Sequence, residues 1–263
     1  MDTPICASTA HVWLVSTETV PSQVAEAWLS VLDAEEHDRH ARLVFKQDRD
    51  AYLGAHALLR GALAFHTGVE PAAWRFVRSR GEKPIATSDL PQLSFSLTHT
   101  RGLAACAVAR EVDVGVDAEM LTRGWDAAVV QRTLSLAERR AVSVAAPDER
   151  VREFLTRWTL KEAYLKTLGI GLDRLDLERD LQRIAFHVDG LGVKADLDGV
   201  DARDLRCWRF ATWATATHVV SAGARGRTSA PKRIVAASVD GAQLPGPGAF
   251  AAGGLGSLGQ RGA

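Results

Sequence analysis

In the segment Gly115-Val116-Asp117-Ala118-Glu119, one small residue separates two carboxylates. From Glu111 to Glu119 the chain alternates, so as a strand it sends Val112, Val114 and Val116 to one face and Asp113, Gly115, Asp117 and Glu119 to the other. Asp117 and Glu119 then project side by side, roughly 6–7 Å apart along the strand. Neighbouring carboxylates repel unless a cation lies between them, and all-oxygen ligation suits Mg²⁺. Gly115 clears space beside them. The competing reading is a half-exposed strand whose acids face water.

A second stretch, Arg157-Trp158-Thr159-Leu160-Lys161-Glu162-Ala163-Tyr164-Leu165-Lys166, has helical periodicity. At about 100° per residue Phe154, Trp158, Leu165 and Leu168 form one apolar stripe, with Glu162 and Lys166 together on its flank. Lys161 falls inside the stripe. Either its stem snorkels along apolar surface or its ammonium has a buried anionic partner. Alone, this helix reads equally as a core helix with one surface Glu–Lys pair, worth about 0.2–0.5 kcal/mol.

Cations able to oppose an anion are concentrated upstream. Between Trp74 and Pro84 four basic residues against one acid run into the turn Gly81-Glu82-Lys83-Pro84, whose backbone N–H groups suit a phosphate. Leu93–Thr100 alternates with period two and brings His99 to the turn Arg101-Gly102, after which Leu103–Val108 returns as an apolar strand. Between Asp33 and Arg60, basic residues interleave with apolar ones in the pattern of a helix pair with a basic edge. The acids of that segment neutralise it equally well as a solvated face.

These groups need a scaffold, and 263 residues suffice for one large domain or two of roughly 100–130 residues. Lys plus Arg and Asp plus Glu number 32 each, so no global field draws the chain to nucleic acid or an anionic membrane, and any anion site is local. Cys6, Cys106 and Cys207 have neither disulfide-framework nor metal-ligand spacing. No basic leader and no run of 18 apolar residues is present, which points to the cytoplasm. Strands are expected at 11–15, 184–188, 205–213 and 218–222. Helices are expected after Pro21, across 124–152, and from Pro147 through the Trp158 stretch. Beyond Gly223 the Gly, Ala and Pro content predicts a flexible tail, with at most a short strand at 234–239.

Gly115–Glu119 and Trp158–Lys166, about forty residues apart, closely resemble the two signature motifs of 4′-phosphopantetheinyl transferases of the Sfp type. Gly81–Pro84 and Ser96-Leu97-Thr98-His99-Thr100 resemble that family's upstream motifs, in the same order. The resemblance implies an α+β fold of two pseudo-symmetric halves, each a small antiparallel sheet on a long helix. The boundaries would be 1–110, 111–224 and a tail, 225–263. It implies Mg²⁺-dependent transfer of the 4′-phosphopantetheine arm of coenzyme A to a serine of an apo acyl or peptidyl carrier protein, releasing adenosine 3′,5′-bisphosphate.

By the same resemblance Asp117, Glu119 and Glu162 would hold Mg²⁺, and Glu162, Lys166 and His99 would be catalytic. Glu162 or a metal-activated water would take the serine proton. Coenzyme A would meet Arg42, Gly81, Lys83, Pro84, Thr98, His99 and Lys166, with Arg39, Arg49 and Arg60 as alternatives to Arg42 for the 3′-phosphate. Lys161 would reach the cleft to hold the diphosphate or Glu162. A complete site in one chain favours a monomer. A non-catalytic coenzyme A or nucleotide binder is the alternative. A nucleic-acid phosphodiesterase would need a basic, aromatic-lined groove, and the balanced charge does not support one.

Overall fold

The computed structural model describes residues 9–77, 83–87, 89–124, 126–171, 177–231, 233–246 and 248–251. β1 (Thr9–Ser16) leads into α1 (Ser22–Leu29), α2 (Ala34–Arg42) and the long α3 (Lys46–Thr67). The ribbon β2 (Phe76–Val77) and β3 (Ile85–Ala86) precedes the hairpin β4 (Ser94–Thr100) and β5 (Leu103–Ala109). Then come β6 (Val112–Met120), α4 (Ala127–Thr133), α5 (Leu136–Val144) and the second long helix, α6 (Arg150–Leu168). After α7 (Leu177–Gln182) follow the hairpin β7 (Ile184–Asp189) and β8 (Gly192–Leu197), α8 (Ala202–Leu205), β9 (Trp208–Ala214), β10 (His218–Gly226), β11 (Arg233–Ser238) and α9 (Gly248–Ala251).

Beside the two-stranded β2-β3 and β7-β8, the described residues form two larger sheets, in the orders β11-β1-β5-β4 and β6-β10-β9. Every residue of β5 is buried because the strand has a core on each face. Ala104, Cys106 and Val108 face a cluster built on α3, while Leu103, Ala105, Ala107 and Ala109 join an inner cluster. The inner cluster also takes Val112, Val114, Val116 and Ala118 of β6, so the inner faces of both sheets merge in it. A strand buried on both faces reads as an apolar run, and β5 does. The mixed α+β architecture with sheets on long helices is as expected, except that β11 runs parallel to β1.

Local sequence sets the helices that matter for the site. Asp33 and Glu36 form a reciprocal capping box that starts α2, as Ser135 and Glu138 do for α5. α6 stops at Gly169, left-handed at φ 70°, with the Ile170 N–H closing on the Leu165 carbonyl at 3.0 Å. Gly115 of β6 and Gly223 of β10 are cross-strand partners. A Cβ at Gly115 would come within 2.1 Å of the Ala163 carbonyl and 2.5 Å of the Thr167 N–H. The glycine therefore lets the α6 backbone sit directly on β6.

The short strand allowed at 234–239 is present as β11, and the flexible-tail expectation around it is corrected for the described residues. β11 pairs with β1 from Thr9↔Arg233 to Leu14↔Ser238, and Leu244, Ala249 and Phe250 are buried in the α3 cluster. Small residues dilute the apolar signal of this segment, yet small size is what allows close approach: a Cβ on Gly61 of α3 would lie 2.8 Å from the Phe250 ring. Residues 252–263 lie outside the described residues. The stretch expected as helical from Gly124 to Arg152 divides into α4 and α5 because Ser135 caps a new helix immediately after Leu134. Among the described residues no helix is long and apolar enough to cross a membrane.

Candidate active site

β4 and β6 are edge strands of different sheets, and they meet through side chains rather than a ladder. Ser94 and Ser96 hydroxyls accept the N–H groups of Val114 and Val116 at 3.1 and 3.2 Å. The Lys83 and Lys166 ammoniums donate to the carbonyls of the same two residues at 2.6 and 3.2 Å. Polar edge groups otherwise left in a buried seam are thus satisfied, and two cations are fixed beside the strand that carries the carboxylates.

Asp117 is 7% exposed, on the β6 face that α6 covers. Its Oδ1 accepts from Lys166 Nζ at 2.7 Å and from the Thr98 hydroxyl at 3.1 Å. One carboxylate oxygen thereby joins β4, β6 and α6. Glu119 is half-buried further along β6, and Glu162 is half-buried on α6.

A cavity of about 690 Å³ opens over this seam, and Lys83, Pro84, His99, Glu162, Lys166 and Gly169 line one part of it. Burial pushes the Lys83 ammonium down to about 8, against the opposing pull of Asp113. Burial also depresses His99, with the positive charges of His56 and Lys166 adding to it, and its imidazole falls to about 4. The ring still has an exposed side, so charging it against a bound anion costs less than in a sealed site.

α2 and α3 wall the rest of the cavity with Asp33, Glu36, Arg39, Tyr52 and His56. His56 Nδ1 lies 2.7 Å from Glu36 Oε1, and Arg60 grips the same carboxylate through Nη2 at 2.6 Å and Nε at 3.2 Å. Burial raises the Glu36 carboxyl, but the His56 hydrogen bond, the charges of His56 and Arg60 and the Asp33 N–H outweigh it and bring it to about 2. Burial, then the Glu36 charge, pushes the Tyr52 phenol up to about 12.

Of the residues expected at the site, Lys83, Pro84, His99, Glu162 and Lys166 meet at the cavity. Thr98 is held behind it by Asp117. Gly81 lies outside the described residues. Arg42, expected along the nucleotide, is exposed and outside the cavity lining, because it ends α2 on the solvent side. Arg49 is spent on the Leu43 and Val44 carbonyls at 3.0 and 2.8 Å, and Arg60 is fully buried on Glu36, Asp33 and two backbone carbonyls. Of these four arginines only Arg39 lines the cavity.

The expectation that Lys161 reaches the cleft is also corrected, while the alternative of a buried anionic partner is met. Lys161 is 0% exposed, bonded to Glu138 Oε2 at 2.7 Å and to the Thr133 and Leu181 carbonyls at 2.8 Å each. It ties α6 to α4, α5 and α7 and does not line the cleft. Tyr52, His56 and Glu36 were missed in the sequence. The spacing Tyr52, His56, Arg60, four and four on one helix face, was the available signal.

Asp117, Glu119 and Glu162 offer only oxygen donors on two packed elements, the chemistry that Mg²⁺ takes. Among the described residues, however, no three acidic, histidine or cysteine side chains are gathered into a metal-holding group, and Lys166 occupies Asp117 Oδ1.

Residues 113–222 match the family model described as the 4′-phosphopantetheinyl transferase superfamily, and residues 19–111 match that described as 4′-phosphopantetheinyl transferase, N-terminal. The 4′-phosphopantetheinyl transferase HetI of Nostoc sp. is 32% identical over 170 residues, 63% of this chain and 71% of that protein. The 4′-phosphopantetheinyl transferase Sfp of Bacillus subtilis is 26% identical over 165 residues, with the same two shares, 63% and 71%. The human L-aminoadipate-semialdehyde dehydrogenase-phosphopantetheinyl transferase is 25% identical over 197 residues, 69% of this chain and 61% of that protein. Among solved structures, holo-[acyl-carrier-protein] synthase from Neisseria meningitidis overlaps 44% of this chain and 98% of its own, at 17% identity and a TM-score of 0.36.

Proposed function

The chain belongs to the 4′-phosphopantetheinyl transferase superfamily, and on that premise we propose that it moves the 4′-phosphopantetheine arm of coenzyme A onto a serine of an apo carrier protein. The serine Oγ forms a bond to the β-phosphorus of the diphosphate. The bond from that phosphorus to the bridging oxygen breaks, and adenosine 3′,5′-bisphosphate leaves with the electron pair.

The observation that carries this reading is the shared Asp117 oxygen, which holds Lys166 of α6 and Thr98 of β4 beside a cavity lined by Lys83, His99 and Glu162. Phosphoryl transfer asks a protein mainly to position its reactants and to place charge where it develops. Lys83 and Lys166 are cations fixed to a strand edge and suit the diphosphate. His99 supports a hydrogen bond to a phosphate oxygen, gaining charge as the anion enters. Glu162, half-buried on the wall, is our choice to receive the serine proton.

Mg²⁺ is part of the proposal, held by Asp117, Glu119 and Glu162. Bound there, the ion would neutralise diphosphate charge and acidify a coordinated water. Lys166 and Thr98 position Asp117 for that role. β4 of one sheet and α6, packed on the other, both line this cavity, which favours a monomer, and a cytoplasmic setting belongs to the same proposal.

The test is to incubate the chain with coenzyme A, Mg²⁺ and a panel of apo acyl and peptidyl carrier proteins and to weigh the carriers. A phosphopantetheine increment on the carrier serine is expected. Coenzyme A binding without an increment on any carrier would instead establish a binder without turnover.

A further inference from the structure

Asp117, Ser221 and Thr212 stand directly opposite one another across β6, β10 and β9, so their side chains form one polar rung on the face that α6 covers. Lys166 closes on Asp117 at one end of the rung. Ser221 and Thr212 are buried and do not line the cavity. The Ser221 hydroxyl donates to Thr212 Oγ1 at 3.0 Å, and the Thr212 hydroxyl donates to the Val220 carbonyl at 3.3 Å. Thr159 Oγ1, buried on α6, lies 2.7 Å from Ser221 Oγ. With the Ser221 proton committed to Thr212, Thr159 is the donor between helix and sheet.

Apolar packing is non-directional and lets a helix roll, whereas a hydrogen bond prefers an angle as well as a length. α6 is held by such bonds at two points. Thr159 meets Ser221, and further along the helix the Thr167 hydroxyl reaches the Gly223 carbonyl at 3.2 Å, above the paired Gly115 and Gly223. Thr159, Ala163 and Thr167, spaced by four, form the ridge seated on the sheet. Glu162 and Lys166 each precede a ridge residue and face the cavity. With side chains reaching about 5–6 Å from the helix axis, a roll of about 10° carries the Glu162 carboxylate about 1 Å. A misplacement of about 1 Å costs catalysis on the order of 10²-fold.

We propose that Thr159, Ser221 and Thr212 are positioning residues for the transfer, a buried hydroxyl chain that sets the roll of α6 and with it the place of Glu162 in the cavity. The inference rests on the transfer reading above, with Glu162 receiving the serine proton. Lys166 is tied to β6 on its own account, through Asp117 and the Val116 carbonyl, so the chain acts on Glu162. Stability does not call for three hydroxyls here. Replacing both partners of a buried hydrogen bond by apolar groups of the same shape is nearly neutral, whereas a fully satisfied polar network fixes one geometry.

The test uses the full chain with Thr159→Val, Thr159→Ser and the double variant Thr159→Val/Ser221→Ala, followed by carrier transfer kinetics, calorimetry with coenzyme A and thermal melts. Thr159→Val should lower kcat about tenfold, part of the cost of a full displacement, while Kd for coenzyme A stays within about twofold. Thr159→Ser keeps the hydroxyl and should restore kcat. The double variant, with both ends of the contact removed, should melt close to the wild type and show the same loss of kcat. In a Glu162→Gln background Thr159→Val should cost no further kcat, since the group that it positions is gone. An unchanged kcat in Thr159→Val, a Thr159→Ser no better than Thr159→Val, or an undiminished loss in the Glu162→Gln background overturns the positioning role while leaving the transfer reading in place. A wild type that transfers to no carrier overturns the transfer reading and the role with it.

Discussion

Lys166 Nζ meets Asp117 Oδ1 at 2.7 Å, and the same ammonium reaches the Val116 carbonyl at 3.2 Å, so the lysine is bound to the strand that it serves. Preorganisation of this kind spares the cost of moving a charge into place during reaction. Lys166→Met should therefore lower kcat by about 10²–10³-fold, the range seen when one preorganised donor to developing charge is removed. Its partner Asp117 is 7% exposed and keeps the Thr98 hydroxyl, so the variant should also lose some stability, less than a fully buried pair would cost. Thermal melts beside the carrier mass assay check both parts.

Glu162→Gln keeps the shape of the side chain but removes its charge and its capacity to take a proton. Transfer should fall by at least about 10²-fold, the lower end of a general-base contribution, with the fold retained. Near-normal turnover in this variant would sink both the metal and the base assignment of Glu162.

Lys161→Met should act through stability. Burial pushes the Lys161 ammonium down, and Glu138 opposes that shift. Removing the lysine would strand Glu138, which is 1% exposed, as an uncompensated buried carboxylate. Breaking one side of a buried pair costs about 3–5 kcal/mol. Denaturant unfolding should register that loss, and kcat per folded molecule should be nearly normal because the ammonium does not reach the cleft.

Lys83 should give the site an upper pH limit. Its ammonium sits at about 8, below the ordinary 10.5 of a lysine. Only the protonated form pairs with phosphate, so the cation is present below that value and is lost as the pH rises through it. KM for coenzyme A should climb above about pH 8 and stay flat in Lys83→Arg, whose guanidinium holds its proton. A wild-type KM independent of pH from 7 to about 9.5 would contradict this.

Sequence by itself determined the chemistry and its local supports. The alternation through Val112–Glu119 put Asp117 and Glu119 on one face, the helical spacing put Glu162 and Lys166 on one flank, and Gly115 read as space cleared beside the carboxylates, which α6 fills. Such features follow from backbone periodicity, which operates within a few residues. Tertiary structure alone decided which cations face the cavity. Arg39, Arg42, Arg49 and Arg60 are equivalent as sequence, and only the fold sends Arg60 into Glu36 and Arg39 to the wall. Lys161 was legible as an anomaly, but its partner Glu138 belongs to another helix. The segment around β11 gave only a weak strand signal because its order comes from pairing with β1, at the far end of the chain. In each case the deciding interaction joins residues remote along the chain, and its favourable energy exists only once the chain has folded to bring them together.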